Sequence, residues 1–219
     1  MAEAGNRSAA RTLVLLRHGR TAWNHVGRAQ GHADVPLDRT GRAQAEAVAP
    51  LVAALRPVRL WSSDLARATE TAGYVAAACD LPVEQDPRLR EFSVGERTGL
   101  TWTESVERFP WIAGGVGLGE RLARVPGAET DADVRARVVP AVEECLAALA
   151  PGETGVAVTH GAALKLALAG LLGWADEVVR SLVVLDNCQW TTVVAPADGH
   201  ANRLRAYGVG DFVSFASDR

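Results

Sequence analysis

The pattern of apolar and polar residues alternates between short apolar runs and longer segments with helical periodicity. The apolar runs predict strands at Thr12–Leu16, Val58–Ser63 and Thr154–Gly161, with further candidates at 189–195 and 202–208. The segments between them predict helices at Thr40–Leu55, at 63–79 with Ser63 or Asp64 as N-cap, at Asp131–Ala150 and at Ala162–Leu172. This alternation predicts an α/β fold with a mostly parallel central sheet and helices on both faces.

One segment, Arg88–Thr130, interrupts this alternation. Four glycines lie between Gly114 and Gly119, and the aromatic residues Trp102, Phe109 and Trp111 precede them. Such a composition is compatible with a surface excursion or with a lid over a ligand site. We expect residues 92–130, approximately, to form a small lid insertion over the C-terminal ends of the strands.

Composition narrows the class of protein. The 219 residues suit one domain covering 1–219, with residues 1–10 as a loose N-terminal tail. A net charge of −3 offers no electrostatic basis for binding nucleic acid or an anionic membrane surface, and no apolar run is long enough to span a bilayer. Cys79, Cys145 and Cys188 lack metal-ligand spacing, so we expect buried thiols in a reducing compartment and a cytoplasmic protein.

Two of the predicted strands end in the same way, in a histidine followed by glycine. His18 follows the first strand in "LVLLRHG", and His160 follows the third in "GVAVTHG". A single histidine at such a position is often structural. Because ligands of parallel α/β sheets bind at the carboxyl ends of the strands, the repeated pattern predicts that His18 and His160 share one pocket.

Two arginines are expected at the same edge of the sheet. Arg17 flanks His18, and Arg67 lies in the first turn of the helix that follows the second strand. An isolated arginine at a helix start is usually a surface charge. Guanidinium groups match phosphate oxygens in geometry and charge, however, and a helix N-terminus favours an anion, so this combination indicates a phosphate pocket.

The segments "LRHGRTAWN", "SSDLARATET", "RLREFSVGE", "PGAET" and "VTHG" occur in this order between about residues 12 and 195. Together they resemble the histidine phosphatase superfamily, in the phosphatase branch of its phosphoglycerate mutase-like members. The resemblance implies a phosphoglycerate mutase-like fold and a phosphomonoesterase that needs no metal and no cofactor. Its expected substrate is a small phosphorylated metabolite, such as a sugar phosphate or a phosphoglycerate-type molecule.

The same resemblance implies a role for each matching residue. His18 would be the nucleophile that forms phosphohistidine, and Glu91 the general acid and then the base that activates water. Asp86 and Glu96 remain alternatives for that acid. The phosphate and the rest of the substrate would be bound by Arg17, Asn24, Gln30, Gly31, Arg67, His160 and Gly161.

Some positions depart from the family pattern. Arg20 stands where relatives usually carry Glu or Gln, so we expect it to add positive charge near the nucleophile and to favour a substrate with a second anionic group. Arg97 and Thr98 replace an aromatic and an acidic residue. Four arginines are candidates to meet a second acidic group: Arg20, Arg88, Arg90 and Arg97.

Three alternatives to a metal-independent histidine phosphatase remain open. A mutase of this family would carry Glu-Arg-His-Tyr-Gly at the acid and a long insert after the second arginine motif, and this chain has neither. A binding or regulatory module with an inactive site is disfavoured by the intact core charges. A metal hydrolase would use His18, His25, His32 and His160.

The expected partner is a small phosphomonoester, with no nucleic acid and no membrane. A homodimer is compatible with the sequence, which does not specify an oligomeric state.

Overall fold

A six-stranded sheet forms the centre of the structure, a computed structural model that describes residues 10–114 and 118–210. The strands are β1 (Arg11–Arg17), β2 (Arg59–Ser62), β3 (Val83–Gln85), β4 (Thr154–Thr159), β5 (Trp190–Ala195) and β6 (Arg203–Val209), in the order β3-β2-β4-β1-β5-β6. The first four run parallel to one another, whereas β5 is antiparallel to β1 and to β6. The mostly parallel sheet is therefore confirmed, and its antiparallel part is the pair of strands nearest the C-terminus.

Helices cover both faces of this sheet. They are α1 (Ala22–His25), α2 (Arg39–Ala53), α3 (Ala66–Cys79), α4 (Trp102–Arg108), α5 (Leu118–Leu122), α6 (Asp131–Ala147), α7 (Gly161–Leu172) and α8 (Asp176–Ser181). Successive side chains of β1 point to opposite faces, as in any strand. Leu13 and Leu15 pack in the core formed with α6 and α7, and Val14 and Leu16 pack in the core formed with α2 and α3.

The start of α3 differs from the sequence-based prediction. Neither Ser63 nor Asp64 caps it: Leu65 precedes the first turn without a capping side chain, and Asp34 Oδ1 accepts the Ala66 N–H at 2.6 Å. The predicted cap is wrong because both candidates have other partners. The Ser63 hydroxyl lies against His160, and Asp64 pairs with Arg90.

The predicted lid segment has a small core of its own. Phe109, Ile112 and Val125 are buried together, apart from the two main cores. An isolated antiparallel bridge between Val94 and Ala128 joins the two ends of the segment. Of its glycine-rich part, residues 115–117 lie outside the described residues, as do residues 1–9 of the predicted N-terminal tail.

Two expectations drawn from composition can be compared with the structure. The three cysteines are free thiols; Cys145 and Cys188 are buried, whereas Cys79 is partly exposed, contrary to expectation. Within residues 10–114 and 118–210, no helix is long and apolar enough to cross a membrane.

Candidate active site

The two histidines lie side by side at one edge of the sheet. His18 directly follows β1 and His160 directly follows β4, and these strands are parallel neighbours with Arg17 in register with Thr159. The ring centroids are 5.1 Å apart, with the planes inclined at 59°. Strand pairing thus brings together two residues that are distant along the chain.

The imidazole of His18 is held in one tautomer. Its Nδ1 lies 2.7 Å from the Gly19 carbonyl oxygen, which can only accept, so Nδ1 carries the proton and Nε2 keeps its lone pair. The ring is almost completely buried. Burial, with the positive charges of Arg67 and Arg17, lowers the pKa of His18 well below its usual value, so the ring is neutral at pH 7.

Two hydrogen bonds hold the main chain around His18. The Asn187 side-chain amide donates to the His18 carbonyl oxygen at 2.9 Å, and the Gly19 N–H donates to Thr71 Oγ1 at 3.0 Å. The sequence analysis missed both Asn187 and Thr71. Thr71 belongs to the quoted "SSDLARATET" segment, whereas Asn187 lies in a loop for which the sequence offered no signal.

Arg67 is buried in the first turn of α3, and its guanidinium donates in three directions. Nη1 bonds to the Ala33 carbonyl oxygen and Nη2 to that of Gly31, both at 2.8 Å, and Nε lies 3.2 Å from His160 Nδ1. Burial lowers the pKa of Arg67 to about 10, so the group keeps its charge at pH 7. These bonds lock the guanidinium against the loop that contains Gly31.

His160 is fully buried and is occupied by protein partners. Because arginine can only donate, Nδ1 accepts from Arg67, and Nε2 therefore carries the proton and donates to Ser63 Oγ at 2.9 Å. Burial and the charge of Arg67 lower the pKa of His160 well below its usual value. Contrary to expectation, His160 and Gly161 are not among the residues that line the cavity described below.

Arg17 ends β1 with its side chain on the cavity wall. Its Nη1 donates to the Leu185 carbonyl oxygen, whereas its buried Nε has no hydrogen-bond partner among the described residues. Gly161 is packed against this group, since a Cβ there would lie 3.4 Å from Arg17 Nε and 2.6 Å from Val184 Cγ1. A side chain at Gly161 would therefore displace its neighbours.

Glu91 reaches the start of α7 from the beginning of the lid segment. Its Oε1 accepts two hydrogen bonds, from the N–H of Ala163 at 2.9 Å and from the N–H of the adjacent Phe92 at 3.0 Å. Its Oε2 accepts the N–H of Ala162 at 3.1 Å. A carboxylate at this position satisfies N–H groups that a helix start leaves unpaired. Glu91 therefore caps the helix that follows His160.

The main chain of Glu91 is also fixed. Arg137, which the sequence analysis missed, donates from Nη2 to the Glu91 carbonyl oxygen at 2.8 Å and pairs with Glu129.

The other two candidates for the general acid lie away from the cavity. Asp86 pairs with Arg88, Glu96 is exposed and pairs with Arg108, and neither carboxylate lines the cavity.

A cavity of about 560 Å³ lies between the sheet edge and the lid segment. Of the residues predicted to form the site, seven line it: Arg17, His18, Asn24, Gln30, Gly31, Arg67 and Glu91. Residues of the lid segment complete the wall, among them Arg97, Leu118, Leu122 and Ala128. The volume is in the range of small-molecule sites.

Asn24 and Gln30 both form hydrogen bonds with Thr21. Asn24 Oδ1 accepts from the Thr21 N–H at 3.1 Å, which leaves the Asn24 amide nitrogen as its donor for a ligand. Gln30 Oε1 lies 2.9 Å from Thr21 Oγ1. Gly31 follows with φ of +51°, where a Cβ would lie 2.8 Å from Val94 Cγ2, so a larger residue would disturb the contact between this loop and the lid segment.

The expectation that Arg20 would meet an anionic group of the substrate is wrong. Its Nε pairs with Asp38 at 2.8 Å and its Nη2 bonds to Thr40, and Arg20 does not line the cavity. The four histidines of the metal-hydrolase alternative do not form a metal site. His25 is exposed, His32 Nε2 bonds to the Glu91 carbonyl oxygen, and within the described ranges no group of three or more His, Cys, Asp or Glu could hold a metal ion.

Comparison with known proteins gives a consistent result. The chain matches the histidine phosphatase superfamily (branch 1) over residues 13–208. The probable phosphoglycerate mutase GpmB of Yersinia enterocolitica is 37% identical over 186 residues, which cover 83% of each chain. A mycobacterial glucosyl-3-phosphoglycerate phosphatase, solved with VO3, is 33% identical with a TM-score of 0.80 over 91% of this chain and 100% of that one. Bacillus stearothermophilus YhfR is 30% identical with a TM-score of 0.82 over 92% and 98%.

Proposed function

This chain belongs to the histidine phosphatase superfamily, and from that membership we propose that it hydrolyses a small phosphomonoester through a phosphohistidine on His18, with no metal ion or cofactor. The observation that carries the proposal is the tautomer of the His18 imidazole. Its Nδ1 proton is held by the Gly19 carbonyl oxygen, so the lone pair of Nε2 is available on the wall of a cavity that also contains Arg17, Arg67 and Glu91.

In the first step, His18 Nε2 attacks phosphorus and the bond from phosphorus to the ester oxygen breaks. Glu91, in its acid form, gives its proton to the leaving alkoxide. Arg17 and Arg67 balance the negative charge on the remaining phosphoryl oxygens. The Nε of Arg17, which has no hydrogen-bond partner among the residues described, supplies a donor for this purpose without breaking a bond seen in the structure.

In the second step, Glu91 as a carboxylate takes a proton from water while that water attacks the phosphohistidine. The bond between phosphorus and nitrogen breaks, inorganic phosphate leaves, and His18 returns to its neutral form. Three main-chain N–H groups fix the carboxylate for this role. We assign Asn24 as a donor to the phosphate, and Gln30 and Gly31 as contacts to the rest of the substrate.

His160 has a positioning role in this mechanism. It fixes the Nε of Arg67 and is itself fixed by Ser63, so a direct bond from His160 to phosphate would need to replace the bond to Ser63. Its neutral ring adds no charge next to His18. Gly161 provides the space in which the guanidinium of Arg17 lies.

The substrate class proposed is a sugar phosphate or a phosphoglycerate-type molecule. A glucosyl-3-phosphoglycerate phosphatase is among the similar structures, and the cavity of about 560 Å³ suits a molecule of this kind. A second candidate function is phosphoglycerate mutase activity, because similar curated proteins carry that name. The segment "EFSVG" at the acid, with no insert before it, favours hydrolysis.

A phosphatase screen tests the proposal. The protein, dialysed against EDTA, is assayed for release of inorganic phosphate from p-nitrophenyl phosphate, sugar phosphates and 3-phosphoglycerate. We expect release that added divalent ions do not increase. Activity that appears only with a divalent ion would overturn the metal-free mechanism. Interconversion of phosphoglycerates faster than phosphate release would favour the mutase, and ligand binding without turnover would indicate a binding module.

A further inference from the structure

Four arginines were candidates to meet a second acidic group of the substrate, and three of them have carboxylate partners outside the cavity. These pairs are Arg20 with Asp38, Arg88 with Asp86 and Glu144, and Arg90 with Asp64. None of the three arginines lines the cavity. A substrate would have to displace an existing ion pair to use any of them.

Arg97 differs from them in each respect. It lines the cavity, and its buried Nε has no hydrogen-bond partner within residues 10–114 and 118–210. Its guanidinium forms no hydrogen bond or ion pair with any residue in the described part of the chain; its neighbour is the ring of Trp102, with Cζ 5.8 Å from the ring centroid. Burial lowers the pKa of Arg97, as expected for a cation with no counter-charge.

The main chain of Arg97 is held in place. Arg97 ends a single 3-10 turn, Gly95–Arg97, whose first residue has φ of +55°. A Cβ at Gly95 would lie 2.0 Å from the Pro126 carbonyl oxygen, and the Glu96 N–H donates to that same oxygen at 3.0 Å. The turn is therefore packed tightly against the other end of the lid segment.

Two other charged residues on the cavity wall, Arg28 and Glu129, already have ion-pair partners. Arg28 pairs with Glu104 at 2.8 Å, and Glu129 pairs with Arg137 at 2.8 Å. A partly buried guanidinium without an acceptor is unfavourable for the free energy of folding, which makes Arg97 a candidate for ligand binding.

On the basis of the proposed phosphatase function, we propose that Arg97 binds a carboxylate of the substrate and makes the protein selective for phosphomonoesters that carry one. A planar guanidinium forms paired hydrogen bonds with a carboxylate. The single charge of Arg97 matches one carboxylate, whereas a second phosphate would bring a charge of about −1.5 to −2.

Two substrates that differ only in the carboxylate test this assignment: 3-phosphoglycerate and glycerol 3-phosphate. In Arg97→Met, we expect KM for 3-phosphoglycerate to rise about 10-fold to 100-fold, the range expected for a hydrogen bond between charged groups. The KM for glycerol 3-phosphate and the kcat for both substrates should stay within about twofold. Arg97→Lys, which keeps the charge but not the fork, should recover part of the affinity.

The matched control is Arg108→Met, because Arg108 also lies in the lid segment but is exposed and paired with Glu96. It should change neither KM. Equal KM increases for both substrates in Arg97→Met, or no increase, would overturn the assignment of Arg97 while leaving the phosphatase function intact. An increase only for a bisphosphate without a carboxylate would assign Arg97 to a second phosphate instead. Absence of any phosphate release by the wild-type protein would overturn the proposed function itself.

Discussion

The two walls of the cavity are built differently. On the sheet side, the side chains are held by many internal bonds: Arg67 donates to two carbonyl oxygens and to His160, and Glu91 accepts three N–H groups. On the lid side, Arg97 has no polar partner among the residues that the structure describes, and the described part of the segment has a small separate core. From this difference we expect substitutions on the sheet side to affect the proposed chemistry most, and substitutions in the lid segment to affect substrate selectivity most.

The strongest test of the sheet side is His18→Ala. Loss of the nucleophile should reduce kcat by at least about 10³-fold, equivalent to about 4 kcal/mol or more. Rapid quenching under alkaline conditions should trap acid-labile phosphate on His18 in the wild-type protein and none in the variant. His25→Ala is the control, because His25 is exposed and off the cavity wall. Near-normal turnover in His18→Ala, or label on another residue, would contradict the mechanism.

Glu91→Gln tests the junction between the two walls. Proton transfer to a poor leaving group is worth about 10²-fold to 10⁴-fold, so cleavage of an alkyl phosphate should slow by this factor. Cleavage of p-nitrophenyl phosphate, whose leaving group needs no proton, should slow far less. Single-turnover measurements are needed because slow dephosphorylation of His18 would hide the difference. Equal losses on both substrates would make Glu91 a positioning residue.

Stability measurements compare the walls directly through Arg67→Met and Arg97→Met. The first change leaves the buried carbonyl oxygen of Gly31 and the partly buried one of Ala33 without this donor, so the free energy of unfolding should fall by about 3 kcal/mol. The second removes a partly buried charge that has no polar partner in the described part of the chain, and it should leave stability unchanged or raise it. Urea unfolding of both variants checks this. Similar losses in both would show that the two walls are equally constrained.

The pH dependence of stability is the smallest effect. His18 and His160 have folded-state pKa values well below the unfolded value of about 6.5, so as pH falls below 6.5 the unfolded chain binds protons that the folded protein does not. Stability is therefore full above pH 6.5 and is lost below it, by about 1.4 kcal/mol per pH unit for each histidine. In His18→Asn, the slope of the free energy of unfolding against pH between about pH 5 and 6.5 should fall by the amount that corresponds to one bound proton.

The measurement is urea unfolding in phosphate-free buffer, since a bound anion would stabilise the folded state. His25→Asn should retain the wild-type slope. A slope in His18→Asn that equals that of the wild type would show that His18 is not held in its neutral form.

Much of the architecture could be predicted from sequence because it depends on local patterns. A strand buried on both faces must be apolar at successive positions, as Leu13–Leu16 are, and its end is marked where polar residues and glycine follow. The pattern before His18 and His160 therefore predicted two strand ends at one edge of the sheet. The same patterns could not specify that β5 runs antiparallel, because strand direction depends on how the preceding connection crosses the sheet.

The partners of the polar side chains were decided by tertiary structure alone. Nothing near Ala66 in the sequence shows that Asp34 caps α3, and nothing near Arg20 distinguishes it from Arg97. Arg20 meets Asp38 at the start of α2, whereas Arg97 is carried by its turn onto the cavity wall, where it forms no ion pair with any of the described residues. The types of residue, and the strand ends that carry some of them, were determined by the sequence. Whether a given charge is neutralised or remains available for a ligand depends on which loops the fold brings beside it, because hydrogen bonds and ion pairs form only between groups within a few ångströms of one another.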